Sequence, residues 1–364
     1  MIPEDPESKE LLYQTEGVKC VVPLDEALGI DRLPFKMSVD LMIRCAYWAQ
    51  NQGSYQDAEE ALLFASDIHV NDDTIRLATN IIGKLVFEED CRRVDALFNQ
   101  YDQGKLTFNP KKKGVLYIQA DGAAVNTRHK DDNGSTWREN KLGLVFSSNN
   151  IRFWAGKGEK RGHEICKREY VSYIGSVNDF KKHLFACAYR NGYGTFQETV
   201  IISDGATWIA NMAEELFPDA QRILDLFHLK ENVYEFAKAR FKQDETKYRP
   251  WAEEICNLLE EGKHQTVLTR ISPDEKYANC VNLYHYIEEN SNSINYPEYK
   301  AKGYFVGSGA IESGNKIVLQ ERLKRAGMRW EPESAQYLLT LKAKQKSGLW
   351  ETEVVNYIKN YYHP

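Results

Sequence analysis

The sequence predicts a mixed α/β protein: a sheet of parallel and antiparallel strands with helices on both faces, an all-helical insertion and an N-terminal helical domain. Three observations carry this reading. After Lys111-Lys112-Lys113-Gly114, short apolar runs and helical runs alternate in the order β-β-β-α-β-α-β, the layout of a mixed sheet. From His228 to Glu289 the chain is charged, rich in Glu and Lys, and helical in texture. From Met37 to about Phe98 the pattern is again helical.

Taken in order, residues 1–36 read as irregular, with prolines at 3, 6, 23 and 34. Leu41, Ile43, Ala46 and Trp48 open the helical stretch, and a second helix follows at Tyr55–Leu63. A break at Ile68-His69-Val70-Asn71 precedes a helix from Asp72 to about Gly83, which Asn71 or Asp72 would cap. Two short helices and a tight turn suggest a helix-turn-helix; a plain helical bundle is the alternative, because this stretch is acidic. Strands are expected at Val115–Ala120, Leu142–Phe146, Glu169–Ile174, Thr199–Ser203 and Gln221–Leu226. Ser176 and Asp179 form a capping box for a helix closed by Asn191-Gly192, and Ala206–Leu216 reads as another helix. Turn signals at Gly262 and Ser272-Pro273 divide the helical insertion, and a loop over Asn290–Gly309 leads to helices at Ile311–Ala326 and Pro332–Lys346. The divisions are an irregular segment 1–36, a helical domain 37–110, a core of 111–228 with 305–346, an insertion 229–304 and a tail 347–364.

Composition narrows the class. No apolar run approaches the roughly 18 residues that span a bilayer, and the start, Met1-Ile2-Pro3-Glu4-Asp5, lacks a signal peptide's basic and apolar regions, so the cytoplasm is the expected address. Seven scattered cysteines without a C-x-x-C pair argue against a disulfide framework or zinc site. The net charge of −6 is uneven: residues 1–100 carry 19 acidic and 9 basic residues, and the remainder 34 and 38, so an acidic segment precedes a mildly basic body.

Two carboxylates stand out by position. Asp121 follows the first strand and Asp204 the fourth, each with a glycine after it. A carboxylate at a strand's carboxyl end lies where α/β sheets bind ligands, although Asp-Gly is also a plain turn signal. Glu312, in Gly307-Ser308-Gly309-Ala310-Ile311-Glu312-Ser313, would occupy a helix's first turn, where the dipole alone favours it. If all three converge, the site is oxygen-only and suits Mg²⁺ or Mn²⁺, two of which can act on a phosphodiester.

In this order, Ala120-Asp121-Gly122, Ser203-Asp204-Gly205-Ala206 and Gly307–Ser313 resemble the catalytic triad of DDE transposases with a ribonuclease H-like core, closest to bacterial insertion-sequence enzymes of the Mutator-like group. Asp225-Leu226-Phe227-His228 is similar to that group's C/D-x-x-H motif, and Glu321–Trp330 resembles the segment beyond its catalytic Glu. The resemblance spans roughly residues 20–350. It implies catalysis and metal binding by Asp121, Asp204 and Glu312, supported by Asp225 and His228. It further implies two Mg²⁺ or Mn²⁺ ions, DNA partners (terminal inverted repeats and target), assembly into a homo-oligomer on DNA, and a place at the nucleoid. One departure is the start, where relatives carry cysteines for a zinc-binding element and this chain has only Cys20.

Phosphate contacts are expected from Lys111, Lys112, Lys113, Lys316, Arg322, Lys324, Arg325 and Arg329, and base contacts from Arg76, Thr79 and Asn80 on one helix face. Rival motifs lack context. The Gly309–Lys316 stretch misses a phosphate-binding loop by one residue and follows no strand, and Ser308 lacks a hydrolase elbow. Two alternatives stay open: a DNA-binding remnant without turnover, and a ribonuclease H-like nuclease without strand transfer.

Overall fold

The computed structural model describes residues 32–155 and 161–362. Most of the segment 1–36, with Cys20, lies outside them. Helices α1 (Val39–Asn51), α2 (Tyr55–Ser66) and α3 (Asp72–Asp102) open the described chain. Each starts on a side-chain cap. Ser38 accepts from Leu41 N, Ser54 from Asp57 N, and Asn71 from Thr74 N at 2.8 Å. The α3 helix differs from the short recognition helix expected. It runs 31 residues, about 46 Å at 1.5 Å per residue, and its Thr79 is buried with its hydroxyl on Ile75 O.

The sheet contains β1 (Lys112–Asn126), β2 (Trp137–Ser147), β5 (Arg168–Ile174), β6 (Phe196–Ser203) and β7 (Gln221–Leu224) in the spatial order β5-β2-β1-β6-β7. β2 runs antiparallel to both of its neighbours, β1 and β5, and β6 and β7 run parallel to β1. The fold is therefore mixed α/β around a mixed sheet. Side chains alternate along β1. Leu116, Ile118 and Ala120 face α4 (Val177–Arg190) and α5 (Thr207–Leu216), while Val115 and Tyr117 join the core on the other face. Between β2 and β5, β3 (Ile151–Ala155) and β4 (Arg161–Ile165) pair as a separate two-stranded sheet that the sequence pattern does not announce.

After β7 come α6 (Leu226–Arg240), α7 (Glu245–Glu260), α8 (His264–Leu268) and α9 (Leu283–Glu289). A short α10 (Tyr296–Ala301) occupies the stretch expected as loop. A helical rod then combines α11 (Gly309–Gly314), a π-helical turn (Asn315–Gln320) and α12 (Glu321–Leu323). The described chain ends with α13 (Pro332–Lys346), a π-helical turn (Trp350–Val355) and α14 (Asn356–Tyr362).

The expected divisions need correction at both ends. Leu341 of α13, with Val354, Val355 and Ile358 of the supposed tail, shares one apolar core with Met42, Ile43, Ile75 and Ile82. Residues 37–110 do not close that core by themselves. The core also begins without a linker after residue 110, because Lys112 and Lys113 already belong to β1.

Candidate active site

The site lies at the carboxyl ends of three neighbouring parallel strands. Gln119 of β1 pairs with Ile202 of β6, and Ser203 of β6 with Leu224 of β7. Carried forward, this register sets Asp121, Asp204 and Asp225 level with one another. Asp121 lies within β1 and not after it, since β1 continues along β2 as far as the Asn126–Trp137 pair while its pairing to β6 ends at Gln119. That divergence opens the crevice. Asp204 ends β6 in a turn that Gly205 permits at φ +88, and a Cβ there would lie 2.9 Å from both Leu224 and Tyr286. Asp204 Oδ1 accepts from Ala206 N at 2.9 Å, and the Tyr286 hydroxyl donates to Asp204 O at 2.7 Å.

Asp225 is fully buried and caps α6. Its Oδ1 accepts from His228 N at 2.7 Å and its Oδ2 from Ser308 N. Burial works to raise its pKa, but the hydrogen bonds from His228 and Ser308 prevail and hold it below the usual carboxylate range. His228 Nδ1 lies 3.4 Å from Asp225 Oδ1. That contact, opposed by burial and aided by the charges of Asp225, Asp204 and Glu312, pushes the imidazole up to about 9. Asp121 is raised, first by burial and then by the charge of Asp204, against lowering by the Gly122 amide, by His228 and by Asn315.

Glu312 reaches this crevice from α11. Two bonds seat the helix start: Ser308 N to Asp225, and Ile311 N to Gln119 Oε1 at 3.0 Å. The Ser308 hydroxyl donates to Glu312 Oε1 at 3.0 Å, and Asn315 Nδ2 donates to Asp121 Oδ2 at 2.5 Å. Asp225, His228 and Glu312 each offer a ligand atom within 4.8 Å of the others. Asp225, His228 and Glu312 thus come together as one cluster, Asp121 and Asp204 stand level with Asp225 in the strand register but outside that cluster, and Gln119, Ser308, Asn315 and Tyr286 support the arrangement. Asn315, three residues beyond Glu312 on the same rod, is open to inference from helical spacing. Gln119 has no comparable signal, because in sequence it is one polar residue inside an apolar strand.

The basic residues divide. Lys316, Lys324, Arg325 and Arg329 are exposed, with Arg325 3.8 Å from Asp57. Arg76 is exposed and pairs with Asp73 at 3.0 Å, and Asn80 is half-buried. Two expectations are corrected. Arg322 is 1% exposed and donates to Ala49 O and Gly53 O, so it is not an exposed phosphate contact. Lys111, Lys112 and Lys113 are exposed at the opposite end of β1, about 30 Å from Asp121 at roughly 3.3 Å per residue.

Fold and site together define a mixed α/β protein with a carboxylate cluster where its parallel strands end. The chain belongs to UPF0236, described as an uncharacterised protein family, which it matches over residues 9–359. It is similar to the UPF0236 protein in the vanSb 3′ region of Streptococcus gallolyticus, with 22% identity over 356 residues, 95% of this chain and 71% of that relative. Among the described residues no helix is long and apolar enough to cross a membrane.

Proposed function

We propose that this chain is a DDE-type transposase of a bacterial insertion sequence, acting on DNA at the nucleoid and assembling as a homo-oligomer on its element ends. The observation that carries the reading is the common level of Asp121, Asp204 and Asp225 on β1, β6 and β7, with Glu312 seated against them through Gln119 and Asp225. A ribonuclease H-like core is supported by the strand order, three antiparallel strands followed by two parallel ones across helical connections.

The donor set fits hard divalent cations. Asp121, Asp204 and Glu312 offer only oxygens, and the burial that raises Asp121, together with the charge of Asp204, disfavours an ionised carboxylate in a way that a bound cation offsets. Two Mg²⁺ or Mn²⁺ ions bound there would activate an attacking oxygen and stabilise a leaving oxygen on phosphorus. The chain's own groups do the positioning. Asn315 orients Asp121, Ser308 orients Glu312, and Asp225 holds the His228 ring. A protonated His228 supplies a positive charge beside an incoming phosphate.

The test uses DNA that carries both genomic flanks of this gene. Purified protein with Mg²⁺ or Mn²⁺ is expected to cut at the flank boundaries and join the ends to a plasmid. Asp121→Asn is expected to abolish both steps while leaving the melting transition cooperative. Cutting without joining would make it a nuclease, and binding without cutting a remnant.

A further inference from the structure

Between the α1–α2 turn, the start of α3 and the segment after α12 lies a cleft of about 860 Å³. Arg76, Arg128, Arg322 and Arg329 line it, against two acids, Asp73 and Glu331. Both acids are engaged: Asp73 by Arg76 at 3.0 Å, and Glu331 by Arg128 at 3.7 Å and His129 at 2.8 Å. Among the described residues Arg329 has no ion-pair partner, and neither has Arg322.

Arg322 is the unusual member. It is almost wholly buried, with its guanidinium 4.8 Å from the ring centres of both Tyr55 and Trp330. Nε donates to Ala49 O at 2.8 Å and Nη1 to Gly53 O at 3.2 Å, while Nη2 and the Tyr55 hydroxyl have no partner. A helix C-terminus supplies about half a negative charge. The end of α1 must share that between Arg322 and Lys342, whose Nζ donates to Gln50 O at 2.8 Å. Two buried cations therefore share that half charge, with no carboxylate of the described residues in ion-pair contact and only Asp57 acting on Arg322 and Glu321 on Lys342 from farther off. An unneutralised charge in a protein wall is expensive, and here it sits behind an open cleft whose mouth carries three exposed arginines.

We infer that this cleft grips the phosphate backbone of DNA, at a distance from the carboxylates. Arg76, Arg128 and Arg329 hold the phosphates, and Arg322 adds its field from behind. This rests on the proposed reading for its choice of DNA; the anionic character of the ligand rests on the arginines alone. Arg322 lies ten residues beyond Glu312 along one rod, roughly 15 Å, and Arg128 seven residues beyond Asp121, two past the end of β1, at most roughly 23 Å. At 3.4 Å per nucleotide the grip falls about four to seven nucleotides from the reacting phosphate.

The experiment measures anisotropy of a fluorescein-labelled duplex of about 30 base pairs against salt, in EDTA, so that no chemistry intervenes. Arg76→Ala, Arg128→Ala and Arg329→Ala are combined in the full chain. The slope of log affinity against log salt is expected to fall by about 0.9 for each phosphate no longer neutralised, with affinity down at least about tenfold at 0.1 M salt. Lys111→Ala, Lys112→Ala and Lys113→Ala, which remove equal charge at the far end of β1, are expected to leave the slope unchanged. An arginine variant that melts as wild type and keeps its slope overturns the proposal, as does an equal loss in both variants. Loss of polyglutamate binding with DNA affinity intact assigns the cleft to an acidic polypeptide and likewise overturns it. Displacement of DNA by inorganic phosphate at matched ionic strength, in wild type and arginine variant alike, would show that the anion acts elsewhere and would also overturn it. Because the readout is binding without metal, failure to cleave DNA leaves the result interpretable.

Discussion

Asp225 and His228 show how a buried charge is sustained. Asp225 has no access to water, yet two backbone amides and an imidazole face its oxygens, and these favour its ionised form. The charge in turn raises His228 to about 9 from an ordinary 6.5. A histidine raised on folding contributes stability that is complete below about 6.5 and lost as pH rises through about 9. In EDTA, the melting temperature is therefore expected to decline over that interval, and His228→Gln to remove the decline. Asp225→Asn should return the His228 ring, followed by NMR titration, towards 6.5. A ring that still titrates near 9 in this variant would mean that Asp204 and Glu312 hold the proton.

At the scale of elements, the rod that bears Glu312 fits because of Gly314. A Cβ there would lie 2.7 Å from Tyr170 and 3.3 Å from Leu142, so the rod lies against β2 and β5 as closely as a helix can. The π-helical turn that follows begins at Asn315, the residue bonded to Asp121, in keeping with the habit of such turns to mark functional sites. Gly314→Ala forces the rod outward or the tyrosine ring aside. Overpacking of this kind costs about 1–3 kcal/mol, read as a lower urea midpoint. The DNA cleavage proposed for the carboxylates is expected to fall further than stability, because Glu312 moves with the rod.

Over the whole molecule, the two ends of the chain build one helical bundle. Gly83 lets α3 approach α13, where a Cβ would come within 2.6 Å of Tyr337 Cβ. Lys344, buried in α13, bonds Asp90 of α3 at 2.7 Å and Glu353 at 2.6 Å. Glu353 is held below its ordinary 4.5 by Lys344 although burial opposes it, so its contribution is present above that pH and lost as the solution is acidified. Lys344→Ala leaves Asp90 and Glu353 facing each other with only the exposed Arg93, 3.6 Å from Glu353, to offset them. A broken buried pair costs about 3–5 kcal/mol, measured by urea unfolding at neutral pH. A loss below about 1 kcal/mol would show that water reaches the pair and screens it.

Much of this protein is legible in its sequence because the signals are local. Caps at Ser54, Asn71 and Ser176, apolar strand runs and the positions of Asp121, Asp204, Asp225 and Glu312 depend on neighbours a few residues away. The strand start at Lys112, the full length of α3 and the β3–β4 hairpin are not legible in this way, since their residues are polar or mixed and gain stability only from partners distant in sequence. Basic residues are the poorest guide. Arg322 and Lys324 look alike in sequence, but one is buried between Tyr55 and Trp330 and the other is exposed. The sequence alone establishes the alternation of elements and that Asp204 closes the fourth apolar run, whereas Asp121 lies inside its strand and Asp225 beyond the end of its own. Only the tertiary structure decided that Asp121, Asp204 and Asp225 stand level, that Glu312 docks beside them, and that the C-terminal helices complete the N-terminal core, because register and burial are properties of pairs of segments and not of either segment alone.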